Sequence, residues 1–427
     1  MRILSLTAGA ARMYCGSCLR DNALAAELRR QGHTVTLLPL YTATRTDEPN
    51  VSSPEVFLNG IGVCLCQEAA FFRRPRPLLD RLWDAPWMLR LASQTSIRVN
   101  PQSLGAMTVS MLRGEDGYQL KEIRKLTARL RALEPPDIVV LPNSLLIGLA
   151  RPIREAVRRP VCCTLQGEEV FLADLCQPYR TQALELIRAK SGDVDGFVAV
   201  SRFCADYWQP QLGIPARALH VVPLGIEPDG FGPPARVPGA PFRVGFLARV
   251  APEKGLHLLA ESYVRLRRET DFGPSALEAA GYLAPEHRGY LRGIARQMKQ
   301  AGLAGEFHYR GELDRPAKIE FLRSLDVFSV PATCDEPKGI SVLEAMAGGV
   351  PVVEPRRGAF PEMLETTGGG VLVEPGDPAN LAGAIYRLWQ NPELAAELGR
   401  RGAEGVRSGF TASQMAARAV EAYQAHA

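Results

Sequence analysis

The sequence predicts an α/β protein made of two doubly wound parallel-sheet halves with a cleft between them. Three observations carry this. The first half alternates short apolar runs with helix-length segments. The stretch Pro223–Pro241, with Leu224-Gly-Ile-Glu-Pro-Asp-Gly-Phe-Gly-Pro-Pro234, is rich in Pro and Gly and reads as a linker. A second strand–helix series follows it. Continuous apolar strands alternating with helices imply strands buried on both faces, hence a parallel sheet covered by helices.

Length and composition agree. At roughly 150 residues per domain, 427 residues make two to three domains, each able to build its own core. The chain is 46% hydrophobic and 22% charged, as in globular proteins. A net charge of +4 is too weak to argue for nucleic acid as a partner. No apolar run reaches the roughly 18 residues of a membrane span. The opening Met1-Arg-Ile-Leu-Ser-Leu-Thr-Ala-Gly-Ala could pass for a signal peptide, but its apolar part is short and Arg12 follows at once. It reads as a first buried strand. Nine cysteines, an odd number without a regular framework, suit a reducing cytoplasm.

In chain order, Ile3–Leu6 is a strand, followed by a loop with Gly9 and Gly16 and a helix over about Arg20–Gln31. Gly32-His33 breaks that helix, and Thr34–Leu38 is the next strand. Further strands are expected at Ile138–Leu141, Val161–Leu165 and Phe197–Val200. Ligands of such sheets bind at the carboxyl ends of strands, so the Gly9–Gly16 loop, Gln166-Gly167-Glu168-Glu169 and Ser201 lie on a candidate binding edge. Between about Cys66 and Gly117 the alternation stops. Phe71-Phe72-Arg73-Arg74-Pro75-Arg76-Pro77 leads into a Trp-containing helical stretch, Leu78–Leu91. Cations beside Phe71, Phe72, Trp83 and Trp87 could form a lid, an acceptor subdomain or a membrane-surface patch. The plainer reading is a solvated helical insertion with core-facing aromatics. In the second half, strands are expected at Phe242–Leu247, Ala276–Ala280, Phe307–Arg310, Val327–Val330, Val350–Val353 and Val371–Val373, and a last helix at Ala412–Ala425.

Cys15-Gly-Ser-Cys18 directly follows the first strand, so redox chemistry or a metal has to be weighed. No second C-x-x-C or C-x-x-H stands at a zinc-finger spacing. A small-residue glycine loop explains the segment more simply.

The chemistry concentrates in two segments. Glu336-Pro-Lys-Gly-Ile-Ser-Val-Leu-Glu344 places two carboxylates eight positions apart, one in a loop and one inside a predicted helix. Gly339, Ile340 and Ser341 stand where that helix begins. A helix start presents unpaired N–H groups and a positive dipole end, which suit a phosphate, while carboxylates accept from sugar hydroxyls. Phe246-Leu-Ala-Arg249-Val-Ala-Pro-Glu-Lys254-Gly255 follows a strand and precedes a helix. Its Arg fork and Lys point charge suit the two phosphates of a leaving nucleoside diphosphate.

These two segments resemble the E-x7-E and R-x4-K motifs of glycosyltransferase family 4, retaining enzymes of the GT-B fold. Val200-Ser201, His220-Val-Val-Pro-Leu-Gly225, Arg310-Gly311-Glu312 and Pro375-Gly376-Asp377 extend the likeness over nearly the whole chain. The resemblance implies two Rossmann-like domains facing a central cleft. Residues 1–225 would form the acceptor side, with a helical insertion at about 67–117. Residues 240–408 would form the donor domain, and 409–427 a helix packing back on the first. It implies a hexosyltransferase using a UDP- or GDP-linked sugar as co-substrate, with no other cofactor. Arg249, Lys254 and Glu336 would be catalytic. Glu344 would hold the donor ribose, Glu336 would face the sugar, and backbone at Gly339, Ile340 and Ser341 would touch phosphate or sugar. The base would lie against Tyr309–Leu313, which includes Gly311, and Gly16 would let the first loop approach the donor.

Two positions depart from the family pattern. Lys338 stands where Phe is frequent, and Gln166 where a sugar-contacting His is frequent; Gln166 and Glu168 remain candidate sugar or acceptor contacts. Gln cannot act as a base. The histidines of the first half, His33 and His220, sit in a turn and before the linker and read as structural. Glu168 or Glu169 could serve as a base instead. Retention, with the leaving phosphate taking the acceptor proton, is what the resemblance implies. No D-x-D pair sits at a strand end in a context suited to a metal-bound diphosphate, so metal-independent transfer is expected. The acceptor could be a glycan, a lipid-linked sugar or a small molecule. The expected location is cytoplasmic, with peripheral contact at the inner membrane face through 71–91. A sugar epimerase or phosphorylase, a non-catalytic nucleotide-sugar scaffold and a thiol oxidoreductase are the competing readings.

Overall fold

The computed structural model of the chain describes residues 1–9, 14–58, 60–68, 70–73, 101–233 and 240–427. The expected helical stretch Leu78–Leu91 with Trp83 and Trp87 lies outside the described residues, as do Arg74–Pro77, Arg12 and the middle of the linker. The chain divides into two compact units, Met1–Pro223 with Ala412–Ala427, and Leu224–Thr411.

The first unit is built on six parallel strands: β1 (Arg2–Thr7), β2 (Thr34–Pro39), β3 (Ile138–Leu141), β4 (Val161–Leu165), β5 (Gly196–Ala199) and β6 (Leu219–Val221). Their order is β2-β1-β3-β4-β5-β6, with Ile3 paired to both Val35 and Ile138. β3 and β4 are buried along their whole length, which is why they read as unbroken apolar runs. The edge strand β6 was not expected; its three residues are half-exposed or exposed and form no apolar run.

The helix Gly16–Arg30 begins four positions before the expected Arg20. Cys15 is its N-cap, so Gly16 opens the helix rather than sitting in the preceding loop. First-turn N–H groups have no partner within a helix, so the Gly and Ser that suggested a loop are tolerated there. The last helix, Ala412–Gln424, belongs to this unit. Its Met415, Ala416, Ala419 and Tyr423 join Leu24, Leu28 and Val35 in one buried cluster. Gln31 Nε2 donates to the Ser413 carbonyl at 3.2 Å. The helix Pro101–Arg113, placed by the sequence in an insertion, contributes Val109, Met111 and Leu112 to the main core of the unit.

The second unit carries β7 (Phe242–Leu247), β8 (Ser275–Ala280), β9 (Phe307–Tyr309), β10 (Val327–Phe328), β11 (Val352–Pro355) and β12 (Gly370–Val373), all parallel, in the order β12-β11-β10-β7-β8-β9. β11 is shifted by two residues from the expected Val350–Val353. Pro351 has no N–H to give, so the ladder to β12 starts with Val352 N donating to Gly369 O at 3.2 Å. β10 is short because Val330 N turns to the Glu354 carboxylate, at 3.2 Å to each oxygen. Glu354 is fully buried, and burial pushes its carboxyl well above the usual range.

Candidate functional site

The strand order of the second unit reverses between β7 and β10, which are neighbours paired through Val244–Val327 and Gly245–Phe328. The crevice outside the carboxyl ends at such a reversal is where open α/β sheets take their ligands. The loop after β7 carries Arg249 and Lys254; the loop after β10 carries Glu336.

Backbone contacts lock the two loops together. Gly255 adopts φ +76°, and a Cβ there would stand 1.8 Å from the Pro331 carbonyl oxygen. Only glycine allows that conformation and that approach. Thr333 N donates to Glu253 O at 2.9 Å. On the other side of Glu336, Ala359 N donates to its carbonyl at 2.8 Å. Gly358, at φ +59°, lies so close that a Cβ would be 2.4 Å from the Glu336 carbonyl oxygen.

The held carboxylate then makes its bonds. Lys254 Nζ donates to Glu336 Oε2. Glu336 Oε1 accepts from Lys338 N at 3.2 Å and Gly339 N at 3.4 Å. Burial opposes ionisation of Glu336, but the Lys254 ammonium and these N–H groups overcome it and hold the carboxyl at about 2. Burial likewise works against charge on Lys254, and Glu336 outweighs it, raising the ammonium above its ordinary value. Arg249 is the more exposed cation; its Nη2 donates to Glu253 Oε1.

The helix Ile340–Ala347 starts directly beyond, with Gly339 as its N-cap. Leu343 N already returns to Gly339 O at 3.1 Å, whereas Ile340 and Ser341 precede any intrahelical acceptor. Arg249, Lys254, Glu336, Gly339, Ile340 and Ser341 are thus assembled on adjacent loops at one edge. Glu344, one turn into the helix, is buried and accepts from Lys318 Nζ of the helix Arg315–Arg323. Sequence reading missed Lys318, because nothing near it in the chain marks it as the partner of a glutamate 26 residues later. Gly311 lies in the turn that leaves β9, and its carbonyl accepts from Gly281 N at 2.8 Å. The neighbouring Arg310 pairs in bidentate fashion with the buried Glu278, at 2.7 and 3.0 Å.

In the first unit, Gln166 and Glu168 follow β4. Gln166 Nε2 donates to Pro142 O at 2.6 Å. Glu168 is 4% exposed and accepts from Ser144 N at 2.7 Å and Gln166 N at 2.6 Å, one on each oxygen. Burial pushes its carboxyl up while those bonds pull it down. Glu169 is also buried and accepts from Trp208 Nε1 at 3.1 Å. Glu168, expected as a candidate sugar or acceptor contact, thus braces the exits of β3 and β4. A local sequence pattern cannot reveal that inward turn. His33 Nδ1 meets the Met1 amine at 3.2 Å, and His220 Nε2 meets His426 Nε2 at 2.9 Å. None of the nine cysteines, all among the described residues, is in a disulfide. A hydrogen bond with Cys15, together with burial, pushes the Cys18 thiol far up, which suits packing rather than thiolate chemistry. Among the described residues, no group of three or more His, Cys, Asp or Glu could hold a metal.

Comparison with known proteins follows the same division. Residues 234–405 match the family model "Glycosyl transferases group 1", and residues 104–229 match "Glycosyltransferase Family 4". The chain is 31% identical over 219 residues to a phosphatidyl-myo-inositol mannosyltransferase of Mycobacterium leprae, covering 50% of this chain and 54% of that one. It is 30% identical over 279 residues to a GDP-mannose-dependent alpha-(1-6)-phosphatidylinositol monomannoside mannosyltransferase of Mycolicibacterium smegmatis, covering 61% and 68%. The chain spans about half the length of several curated relatives it matches. Among solved structures, sucrose-phosphate synthase of Thermosynechococcus elongatus superposes with a TM-score of 0.71 at 18% identity, over 99% of this chain and 98% of that one. Anabaena HepE in complex with UDP gives 0.67 at 17%, over 99% of each. At such identities the likeness shows the fold. With the two matched models and the Mycolicibacterium relative, the chain belongs to glycosyltransferase family 4.

Proposed function

We propose that the protein transfers a hexose from a UDP- or GDP-linked donor to an acceptor hydroxyl with retention of anomeric configuration. The observation that supports this most is the half-buried Lys254–Glu336 pair at the β7/β10 reversal, beside the start of the helix Ile340–Ala347. An ammonium has three donors, of which Glu336 takes one, so Lys254 can also serve a phosphate oxygen. Arg249 supplies a fork for the other phosphate. The helix start adds N–H groups and a positive dipole end.

In this reading the bond between the anomeric carbon and the diphosphate oxygen breaks as charge grows on that oxygen. Arg249 and Lys254 stabilise the growing charge. The acceptor oxygen bonds to the same face of the anomeric carbon. Its proton passes to the departing diphosphate, which leaves as nucleoside diphosphate. Glu336, ionised and held in place, accepts from sugar hydroxyls. The two cations supply the charge a metal would otherwise bring, so transfer is proposed to be metal-independent. Activity lost in EDTA and restored by Mg²⁺ or Mn²⁺ would contradict this, and product NMR showing an inverted anomeric centre would refute retention.

The relatives' names put GDP-mannose first among donors to test and phosphatidylinositol-type lipids first among acceptors. A lipid-linked acceptor fits peripheral contact at the inner membrane face, from the cytoplasm. Phe71 is 51% exposed, and no described helix is long and apolar enough to cross a membrane. Sedimentation with anionic vesicles tests that contact; no binding removes its motive. The central experiment is a thermal-shift panel of UDP-, GDP-, ADP- and dTDP-sugars on the wild type and on Arg249→Ala/Lys254→Ala. One nucleotide that stabilises only the wild type supports the donor site. The absence of any shift counts against transferase function.

A further inference from the structure

We propose that, independently of nucleotide binding, Cys15 and Cys18 form a dithiol site that exchanges with low-molecular-weight disulfides of the glutathione class and closes a reversible Cys15–Cys18 disulfide, with Asp21 taking the Cys18 proton. The Cys15-Gly-Ser-Cys18 run is the cap and first turn of the helix Gly16–Arg30 rather than a loop. Leu19 N donates to Cys15 O at 2.9 Å and closes that turn. A cap residue and the third helical residue are the two positions whose side chains meet in a capping box. A disulfide bridges Cα atoms about 4.4–6.8 Å apart, a span that one helical turn of about 5.4 Å pitch provides, so the bond forms without unwinding the helix. The two thiols are already hydrogen-bonded. Other neighbouring cysteines lack this geometry. Cys162 and Cys163 follow one another in β4, so their side chains leave opposite faces of the sheet. Cys64 and Cys66 stand two apart on the helix Gly60–Glu68 and do not face each other.

The two sulfurs have different settings. Cys15 is half-buried, and Cys18 is 1% exposed. A sulfur at a helix start faces unpaired N–H groups and the positive dipole end, which favour a thiolate. Bonding to Cys15 and burial both push the Cys18 thiol far up, so Cys18 is the S–H that donates and Cys15 the sulfur that attacks. Thr7 Oγ1, on β1, donates to Cys18 Sγ at 3.8 Å. Asp21 lies three residues beyond Cys18, on the same helix face. Its charge raises the Cys18 thiol, and a Cys15 thiolate raises Asp21. Asp21 is 4% exposed, and burial pushes its carboxyl up against the pull of Arg20 and Thr7. Arg20 Nη1 donates to its Oδ1 at 3.1 Å. Among the described residues, Asp21 Oδ2 has no hydrogen-bond partner. A buried carboxylate oxygen left unmet is costly, and packing gives no reason for it. It is the acceptor that a buried thiol needs in order to lose its proton. In the exchange, the Cys15 thiolate attacks one sulfur of the external disulfide. A Cys15–glutathione bond forms, and one glutathione thiolate leaves. Asp21 takes the Cys18 proton, and the Cys18 thiolate attacks the Cys15 sulfur. The Cys15–Cys18 bond forms, and the second glutathione leaves as a thiol with that proton. The protein dithiol is oxidised by two electrons, and the external disulfide is reduced by two.

The test mixes the reduced full chain with oxidised glutathione, quenches it with acid at intervals, and reads the peptides by mass spectrometry. The wild type should lose two hydrogens from the peptide that holds Cys15 and Cys18 and keep no glutathione on it. Reduced glutathione in excess should reverse the change. Cys18→Ser should trap glutathione on Cys15, and Cys15→Ser should leave Cys18 unmodified. Asp21→Asn should slow closure about 10- to 100-fold while capture at Cys15 proceeds, so that the Cys15 adduct accumulates. Cys64, Cys176 and Cys334 are half-buried like Cys15 and serve as the internal comparison. Capture at Cys15 no faster than at those three overturns the inference. So does a wild type that keeps glutathione on Cys15, or a Cys15→Ser protein that takes it up on Cys18. Closure at the wild-type rate in Asp21→Asn overturns the role given to Asp21. If a variant does not fold, the wild-type time course still decides whether the site closes.

Discussion

Replacing Lys254 by Met tests whether the Lys254–Glu336 pair is the electrostatic centre of the second unit. The Glu336 carboxyl moves from an ordinary 4.5 to about 2, a depression of roughly 2.5 units. At about 1.4 kcal/mol per unit, the surroundings of Glu336, with the Lys254 ammonium the largest favourable contributor, stabilise the folded state by about 3 kcal/mol at neutral pH. The side chains are 20% and 12% exposed, so solvent screening is modest. The sign follows from the depressed value. The stabilisation is fully present above the unfolded pKa near 4.5 and is lost as pH falls through about 2. At pH 3 roughly 1 kcal/mol should remain. The measurement is a double-mutant cycle of Lys254→Met, Glu336→Gln and the combined variant. Because the chain has two compact units, a single global transition is not assumed. Pulse-labelling hydrogen exchange across a urea series, read on peptides from residues 327–347, isolates the relevant unit. The expected result is a coupling of about 3 kcal/mol at pH 7 that shrinks by more than half at pH 3. A coupling below about 0.5 kcal/mol at pH 7, or one that does not change with pH, would refute the reasoning.

Three further outcomes follow from the geometry. Arg249→Ala should lower kcat about 100- to 1000-fold, because it removes one donor to the developing charge on the leaving group; a change under threefold with the donor found above would contradict its role. Gly358→Ala forces a Cβ against the Glu336 backbone at a positive φ, so it should cost more than about 1 kcal/mol and weaken nucleotide binding, both readable by urea titration with and without nucleotide. Unchanged binding would mean that the Glu336 backbone tolerates displacement. Tyr423→Ala empties a site that is 1% exposed beneath the last helix and should destabilise the first unit by about 3–5 kcal/mol; a loss below 1 kcal/mol, read by hydrogen exchange in residues 16–30, would show that the helix packs loosely.

Legibility in the sequence followed how local each cause was. β3, β4 and β7 were read with the bounds they have, because each is a mainly apolar segment with polar or Pro/Gly punctuation at its ends. β10 and β11 were misplaced at their ends because the deciding groups are remote or subtle: the Glu354 carboxylate takes over the Val330 N–H, and Pro351 has none to offer. The start of the helix Gly16–Arg30 was read four residues late because Gly16 and Ser17 look like loop residues from sequence alone.

The candidate site divides in the same way. Arg249, Lys254, Glu336 and Glu344 are singled out by spacing and residue type, since a strand–loop–helix unit sets the position of a loop side chain within a few residues. Their partners could not be found so. Lys254 and Glu336 are 82 residues apart, and Lys318 and Glu344 are 26 apart. Nothing local in the sequence shows that Glu168 turns inward onto Ser144 N and Gln166 N. By itself, then, the sequence determined the alternation of strands and helices, the family, and which charged residues stand at strand exits. Tertiary structure alone decided which of those charges meet, which are buried, and which accept from backbone N–H groups. The physical reason is that periodicity and loop chemistry act over a few residues, whereas charge pairing and desolvation depend on strand order, which brings distant loops together at one edge of a sheet.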